Sequence, residues 1–285
     1  MELQTDDVTL HLEIDGDDDA PPVLVLHGIT QSTATWGWLV PELADRHRVV
    51  RLDFRGHGRS GRTPGAYTFP HYIADATAVC EQVLGQPAVV IGHSLGGGTA
   101  AGLAQTRPEL VRGVVLEDPA IMAPPAPEEA SSLEGNSLLD GFRLMRESIP
   151  QMQESGMSAA DLGEVLRAAP SSSGPLFGEL VSDDALEAMA ESMLQLDASV
   201  LDPVFDGSHA PVFDPRRPLP VPGIVIAGDP AMPDTLVREA DLARLAEVSP
   251  EVESRVADGC GHLIHDSRQH RAMVLAAIGD LLARV

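Results

Sequence analysis

Short apolar runs recur along most of the chain and alternate with amphipathic segments. Continuous runs typical of buried strands occupy residues 23–26, 49–52, 89–91, 111–116 and 224–227. Residues 8–14 alternate between apolar and polar, which predicts an edge-side strand, and residues 252–256 predict the last strand. The intervening segments predict helices over residues 36–47, 70–84, 95–104, 235–247 and 268–284. Such alternation indicates an α/β fold whose mostly parallel sheet is covered by helices on both faces.

One long region departs from this alternation. Residues 119–217 begin with a proline-rich stretch at 123–127 and contain amphipathic helical patterns instead of strands. We therefore predict a core domain of residues 1–118 and 218–285 with residues 119–217 inserted as a helical cap. Adaptable methionine side chains suit an apolar binding roof, which makes Met145, Met189 and Met193 candidate substrate contacts. Ordinary helix packing would explain the same methionines.

Composition narrows the classes of partner. The 285-residue chain has a net charge of -24 and contains no lysine, so nucleic acid and anionic membranes are not expected partners. Cys80 and Cys260 fall in a predicted helix and a loop, which favours a reducing compartment over a disulfide. Without a signal-peptide pattern or a membrane-length apolar run, a cytoplasmic protein is expected. The acidic run at 15–19 lacks calcium-loop spacing, so Asp15-Gly16 predicts a hairpin turn and no metal is expected.

A Gly-x-Ser-x-Gly pattern lies between a predicted strand and a predicted helix. Gly92 and Gly96 would permit a sharp turn that holds Ser94 at the mouth of a site. The amide of Leu95, at the helix N-terminus, would be free to bind an anion. A glycine-rich turn without chemistry is the alternative interpretation.

The first buried strand is followed directly by His27-Gly28-Ile29. If the chain turns at Gly28, the amide of Ile29 converges with that of Leu95, and two such amides form an oxyanion hole. An ordinary strand-end turn with a hydrogen-bonded His27 is the alternative. His27, Gly28, His93 and Trp36 are also predicted to contact the substrate.

Four motifs in order resemble the α/β-hydrolase superfamily over nearly the whole chain. They are His27-Gly28, the loop Asp53-x-Arg55-Gly56-x-Gly58-x-Ser60, the turn around Ser94, and Gly261-His262 before the last helix. The loop at 53–60 is not a phosphate loop, because it lacks Gly-Lys-Ser/Thr. The resemblance implies an eight-stranded sheet, a helical cap, a serine nucleophile and a histidine base.

The resemblance assigns His262 as the base and leaves the acid open. His265 and His270 are expected at the surface. Many members carry the acid at the position that Ala231 occupies here, whereas haloalkane dehalogenases and the lactone hydrolase acting on zearalenone place it one strand earlier. That position is Asp118, which we predict as the acid. The alternatives are Asp229, Glu117 and Asp234.

These residues predict a serine hydrolase that cleaves a carboxylic ester or lactone with an apolar moiety through an acyl-enzyme on Ser94. Serine at position 94 argues against haloalkane dehalogenase and epoxide hydrolase chemistry, which uses aspartate there. Carbon–carbon bond or amide hydrolysis and haloperoxidase-like chemistry use the same triad and stay open. A non-hydrolytic ligand-binding protein is a further alternative, motivated by Ala231. We expect a small-molecule substrate, no cofactor, and a monomer or homodimer.

Overall fold

The structure is a computed structural model that describes residues 1–121, 137–171 and 174–285. Eight strands form one sheet in the order β1-β2-β4-β3-β5-β6-β7-β8. In chain order they are β1 (Glu2–Gln4), β2 (Thr9–Asp15), β3 (Pro22–Leu26), β4 (Arg48–Asp53), β5 (Ala88–His93), β6 (Val111–Glu117), β7 (Gly223–Gly228) and β8 (Val252–Ala257). The expected eight-stranded, mostly parallel sheet is confirmed.

The sheet is antiparallel at one edge and parallel elsewhere. β1 pairs with β2 and β2 with β4 in antiparallel register, while the other neighbours run parallel. The predicted hairpin at Asp15-Gly16 is wrong, because β2 pairs with β4 and not with β3, the next strand along the chain. The three-residue β1, which we did not predict, completes this edge.

Helices cover both faces of the sheet. They are α1 (Val40–Leu43), α2 (Phe69–Val79), α3 (Leu95–Thr106), α4 (Ser137–Ser155), α5 (Ala159–Ala168), α6 (Phe177–Leu180), α7 (Asp183–Gln195), α8 (Asp202–Asp206), α9 (Glu239–Val248) and α10 (Arg271–Leu282). Successive residues of β3 enter opposite cores: Leu24 and Leu26 pack on the side of α2 and α3, and Val23 and Val25 on the side of Trp36 and α10. Among the described residues, no helix is long and apolar enough to cross a membrane.

Helices α4 to α8 lie between β6 and β7, within the segment predicted as a cap. This segment contacts loops at the carboxyl ends of the parallel strands. Ser192 Oγ lies 2.7 Å from Ser32 Oγ, and the Ser182 amide donates to the Asp266 carbonyl at 3.0 Å. The helical segment is thereby fixed over the end of the sheet where α/β proteins bind ligands. The proline-rich stretch at 123–127 lies outside the described residues.

Candidate active site

Ser94 occupies the sharp turn between β5 and α3. Its backbone has φ 53° and ψ −113°, a left-handed conformation that is strained for a residue with a side chain. The two glycines of the motif are needed for packing. A Cβ on Gly92 would collide with the Gly96 backbone, and a Cβ on Gly96 would collide with the Leu26 carbonyl. The Ser94 amide donates to the Glu117 carbonyl at 2.9 Å, which ties the turn to β6.

Two backbone amides near this turn have no hydrogen-bond partner in the part of the chain that the structure describes. Within the described residues, neither the Leu95 N–H nor the Ile29 N–H has a hydrogen-bond acceptor, although the Gly96 N–H donates to the His27 carbonyl at 3.1 Å. Leu95 is the first residue of α3, so its amide lies at the positive end of the helix dipole. Unpaired amides of this kind can bind an oxyanion.

His262 and Asp118 are in direct contact. The His262 Nδ1 donates to Asp118 Oδ2 at 2.6 Å. The amides of Leu236 and Val237 donate to the same carboxylate at 2.9 and 3.0 Å. Asp118 has a φ of 34°, and it and Ser94 are the non-glycine residues of the described chain with positive φ. The loop after β7, which holds the acid in many relatives, therefore supplies backbone donors to Asp118.

The other three candidate acids lie elsewhere. Asp229 accepts the amides of Ala231 and Gly259 at 2.9 and 2.8 Å, and these hydrogen bonds lower the pKa of its carboxyl. Asp234 faces Gly261, and its Oδ1 is buried without a hydrogen-bond partner among the described residues. Glu117 binds a different histidine. The structure thus brings Asp118, and none of these three, into contact with the His262 ring.

The expectation that His265 lies at the surface is wrong: it is 0% exposed. Its Nδ1 lies 2.9 Å from Glu117 Oε1, and its ring stacks on Trp36 with centroids 4.1 Å apart. A buried carboxylate and an aromatic face replace the water that this side chain would otherwise need. His270 is half-buried instead of exposed, with Nδ1 3.1 Å from Ser267 Oγ.

A buried polar network extends from His265, and no sequence pattern predicted it. The network consists of Glu117, His265, Asp266, Gln31 and His93. The His265 Nε2 lies 3.3 Å from Asp266 Oδ1, and the Gln31 side chain donates to Asp266 Oδ2 at 3.0 Å. Burial raises the pKa of Asp266 to about 6, although the charge of His265 acts to lower it. Burial opposes the charge on His265, but Asp266 and Glu117 outweigh it and raise the pKa of the imidazole.

The predicted substrate contacts His27, His93 and Trp36 are buried within the scaffold. The His27 Nδ1 donates to the Gly28 carbonyl at 2.8 Å, and its Nε2 accepts the Phe54 amide at 3.1 Å. Burial and the neighbouring His57 hold the pKa of His27 well below its usual value. The His93 Nε2 lies 3.0 Å from the His262 carbonyl oxygen, and its Nδ1 lies 2.9 Å from Gln31 Oε1. The His27 and His93 rings therefore hold loops together, and each of their nitrogens lies against a protein atom.

Gly28 lies against the buried network. A Cβ there would come within 2.8 Å of Gln31 Oε1 and of His93 Nδ1, so glycine lets these two side chains approach the backbone.

The three methionines lie in the helical segment. Met189 and Met193 of α7 are buried in separate apolar clusters, and Met145 of α4 is half-buried against one of them. A cavity of about 90 Å³ borders His262, and the methionines are not among the described residues that line it. Its apolar lining comes from Phe177, Leu180, Val181 and Leu263.

Three potential metal ligands of the described chain lie close together. Ligand atoms of His93, Glu117 and His265 lie within 4.8 Å of one another. The groups are already engaged: Glu117 accepts from His265, and His93 bonds the His262 carbonyl. We therefore interpret the cluster as part of the hydrogen-bonded network.

Comparisons with known proteins identify the family and the fold of the chain. The model of the family described as alpha/beta hydrolase fold matches residues 21–269. The chain is 42% identical over 99 residues to a serine hydrolase-like protein of Danio rerio, which covers 34% of this chain and 30% of that protein. It is 33% identical over 111 residues to 2-(acetamidomethylene)succinate hydrolase of Mesorhizobium japonicum, with 39% of each chain covered. The chain thus spans well under half the length of these relatives.

Solved structures match over nearly the whole chain. E-2-(acetamidomethylene)succinate hydrolase superimposes with a TM-score of 0.74 at 21% identity, covering 99% of this chain and 98% of that one. The enol-lactonase of Burkholderia xenovorans gives a TM-score of 0.69 at 19% identity, covering 99% and 100%. At these identities the likeness demonstrates a common fold.

Proposed function

Because the chain belongs to the alpha/beta hydrolase fold family, we propose that it is a serine hydrolase that cleaves a carboxylic ester or lactone. Ser94 is the nucleophile, His262 the general base and Asp118 the acid that orients it. The observation that carries the proposal is the 2.6 Å hydrogen bond between His262 Nδ1 and Asp118 Oδ2. A carboxylate at Nδ1 leaves the Nε2 lone pair to act as the base.

In the first half-reaction, Ser94 Oγ attacks the substrate carbonyl carbon while His262 Nε2 takes the hydroxyl proton. The carbonyl oxygen becomes an oxyanion, which accepts hydrogen bonds from the Ile29 and Leu95 amides. Asp118 stabilises the imidazolium that forms. The tetrahedral intermediate collapses, the bond to the leaving oxygen breaks, and His262 returns the proton to that oxygen.

In the second half-reaction, His262 removes a proton from water, whose oxygen attacks the acyl carbon on Ser94. Collapse of the second intermediate breaks the ester bond to Ser94 Oγ, which recovers its proton from His262. The products are a carboxylic acid and an alcohol, or a single hydroxy acid from a lactone. The apolar moiety of the substrate stays a prediction, because Ser94 is not among the described residues that line the cavity next to His262.

The first test is covalent labelling with a fluorophosphonate, read by intact mass and peptide mapping. We expect one adduct, on Ser94, and turnover in a screen of esters and lactones. Ser94→Ala removes both. Ser192→Ala is the matched control, because Ser192 is also a buried serine, bonded to Ser32 Oγ at 2.7 Å, and its loss leaves the adduct in place. A folded wild type without an adduct would contradict the proposal and favour the ligand-binding alternative.

A further inference from the structure

Gln31 lies at the junction of the loop after β3 and the buried network, and it is 3% exposed. Its Oε1 accepts the Gly28 amide at 2.9 Å and lies 2.9 Å from His93 Nδ1. Its Nε2 donates to Asp266 Oδ2 at 3.0 Å. One side chain thus connects the loop that carries Ile29 to the loop that carries His262.

The backbone carbonyls on both sides of the Ile29 N–H accept hydrogen bonds. The Gly28 carbonyl accepts hydrogen bonds from His27 Nδ1 at 2.8 Å and from the backbone N–H of Gln31 at 3.0 Å. The Ile29 carbonyl accepts from His57 Nε2 at 2.6 Å. The Gly28 carbonyl and the Ile29 N–H belong to the same peptide group, so two donors on the oxygen both fix and polarise that N–H.

The opposite end of Gln31 is anchored through the network. Asp266 lies 3.3 Å from the His265 ring, which binds Glu117 at 2.9 Å. The backbone carbonyl of Glu117 accepts the Ser94 amide. The buried chain of contacts therefore runs from the Ile29 loop to the turn that holds Ser94, with no step through solvent.

We propose that Gln31 is a positioning residue for the Ile29 amide, and that Asp266 in turn holds Gln31. The inference rests on the proposed function, since it concerns the oxyanion hole of that reaction. The charge on the oxygen is largest in the transition state, so a displaced amide lowers kcat more than it raises KM.

The test is a swap of the two hydrogen-bonding groups. Gln31→Glu keeps an acceptor for the Gly28 amide but places a carboxylate against Asp266. Adding Asp266→Asn to Gln31→Glu restores a hydrogen bond between the two side chains, with the donor now at position 266. The double variant has the same total charge as wild type. Rates of p-nitrophenyl acetate hydrolysis are divided by the Ser94 sites that a fluorophosphonate titrates, so that unfolded protein does not count.

We expect Gln31→Glu to lower kcat per titrated site by about 10- to 100-fold with KM within about threefold. Affinity for an alkyl trifluoromethyl ketone, which forms a hemiketal oxyanion with the serine, falls by the same factor. In the double variant, we expect at least half of the decrease in log kcat per titrated site to be recovered.

Gln105→Glu is the matched control. Gln105 is also a buried glutamine, and it donates to the Asp214 and Arg217 carbonyls at 3.1 and 3.0 Å, at the far end of α3 from Ser94. We expect Gln105→Glu to lower the free energy of unfolding but to keep kcat per titrated site within about twofold of the wild-type value. The inference is overturned if Gln31→Glu behaves like this control or if the double variant recovers nothing. If the wild type is neither labelled nor active, the proposed function fails first, and this inference falls with it.

Discussion

Two carboxylate–histidine pairs lie side by side at the end of β6, and only one of them can serve as a base. Glu117 pairs with His265 at 2.9 Å, and the next residue, Asp118, pairs with His262 at 2.6 Å. The histidines are three residues apart in the same loop. His265 has carboxylates near both ring nitrogens, whereas His262 has one carboxylate at Nδ1 and borders a cavity.

The difference lies in which nitrogen remains available. Carboxylates on both sides favour the charged form of His265, in agreement with the direction of its pKa shift. His265 is 0% exposed and has a carboxylate beside each nitrogen, so neither nitrogen faces a substrate, and we interpret this pair as structural. A single carboxylate orients His262 through Nδ1, and no described residue bonds its Nε2. Proximity of an acid to a histidine is therefore insufficient to identify a general base.

The largest expected effect separates the candidate acids. We expect Asp118→Asn to lower kcat by about 10⁴-fold, because it removes the carboxylate that orients and stabilises the imidazolium. Asp229→Asn is the control, since Asp229 binds backbone amides only. It is expected to stay within about threefold of wild type. Steady-state kinetics on a substrate found in the ester and lactone screen measures both, and the reverse order would refute the assignment.

The second prediction tests the two histidines against each other. His262→Gln should lower kcat by about 10⁴-fold while the free energy of unfolding changes little. His265→Gln should lower the free energy of unfolding by about 3 kcal/mol, because it removes the imidazole that faces two buried carboxylates, those of Glu117 and Asp266.

Denaturant unfolding and rates per fluorophosphonate-titrated Ser94 provide the two measurements. For His265→Gln we expect a loss of about tenfold in rate, from a less ordered network. Equal rate losses in the two histidine variants would remove the distinction between the pairs.

Local patterns in the sequence were enough for the parallel strands and for the sharp turn at Ser94. Continuous apolar runs predicted the parallel strands, and the resemblance to proteins with the acid one strand earlier led to Asp118, which contacts His262. The three-residue β1 is too short for a pattern, and the hairpin at Asp15-Gly16 failed because strand order depends on distant partners.

The buried network was missed for a related reason. His265 contacts Glu117 across 148 positions of sequence, and Gln31 contacts Asp266 across 235. No motif links residues so far apart. An available clue was the composition of the loop itself, where His265 and Asp266 follow the predicted base within four residues.

The third prediction concerns how the stability contributed by Asp266 and His265 depends on pH. Asp266 titrates near 6 in the fold, above its unfolded value, so the folded state binds the extra proton as pH falls through 6. The raised pKa of His265 acts in the same sense. Wild type should therefore gain on the order of 2 kcal/mol relative to Asp266→Asn between pH 8 and pH 5. Denaturant midpoints at several pH values measure the gain, and a constant difference would contradict it.

The smallest effect is expected at His209, whose ring bonds no carboxylate of the described residues. His209 packs against Phe69 with ring centroids 4.6 Å apart, and burial lowers its pKa to about 4, against the weaker attraction of Asp206. Its folded pKa lies below the unfolded one, so stability is lost as pH falls below about 6.5, the opposite sign to His265. Between pH 7.5 and 5.5, wild type should lose about 1 kcal/mol relative to His209→Phe. If the unfolding curves of wild type and His209→Phe instead shift together across this pH range, His209 is already solvated. The absence of a carboxylate partner would then not explain the difference between His209 and His265.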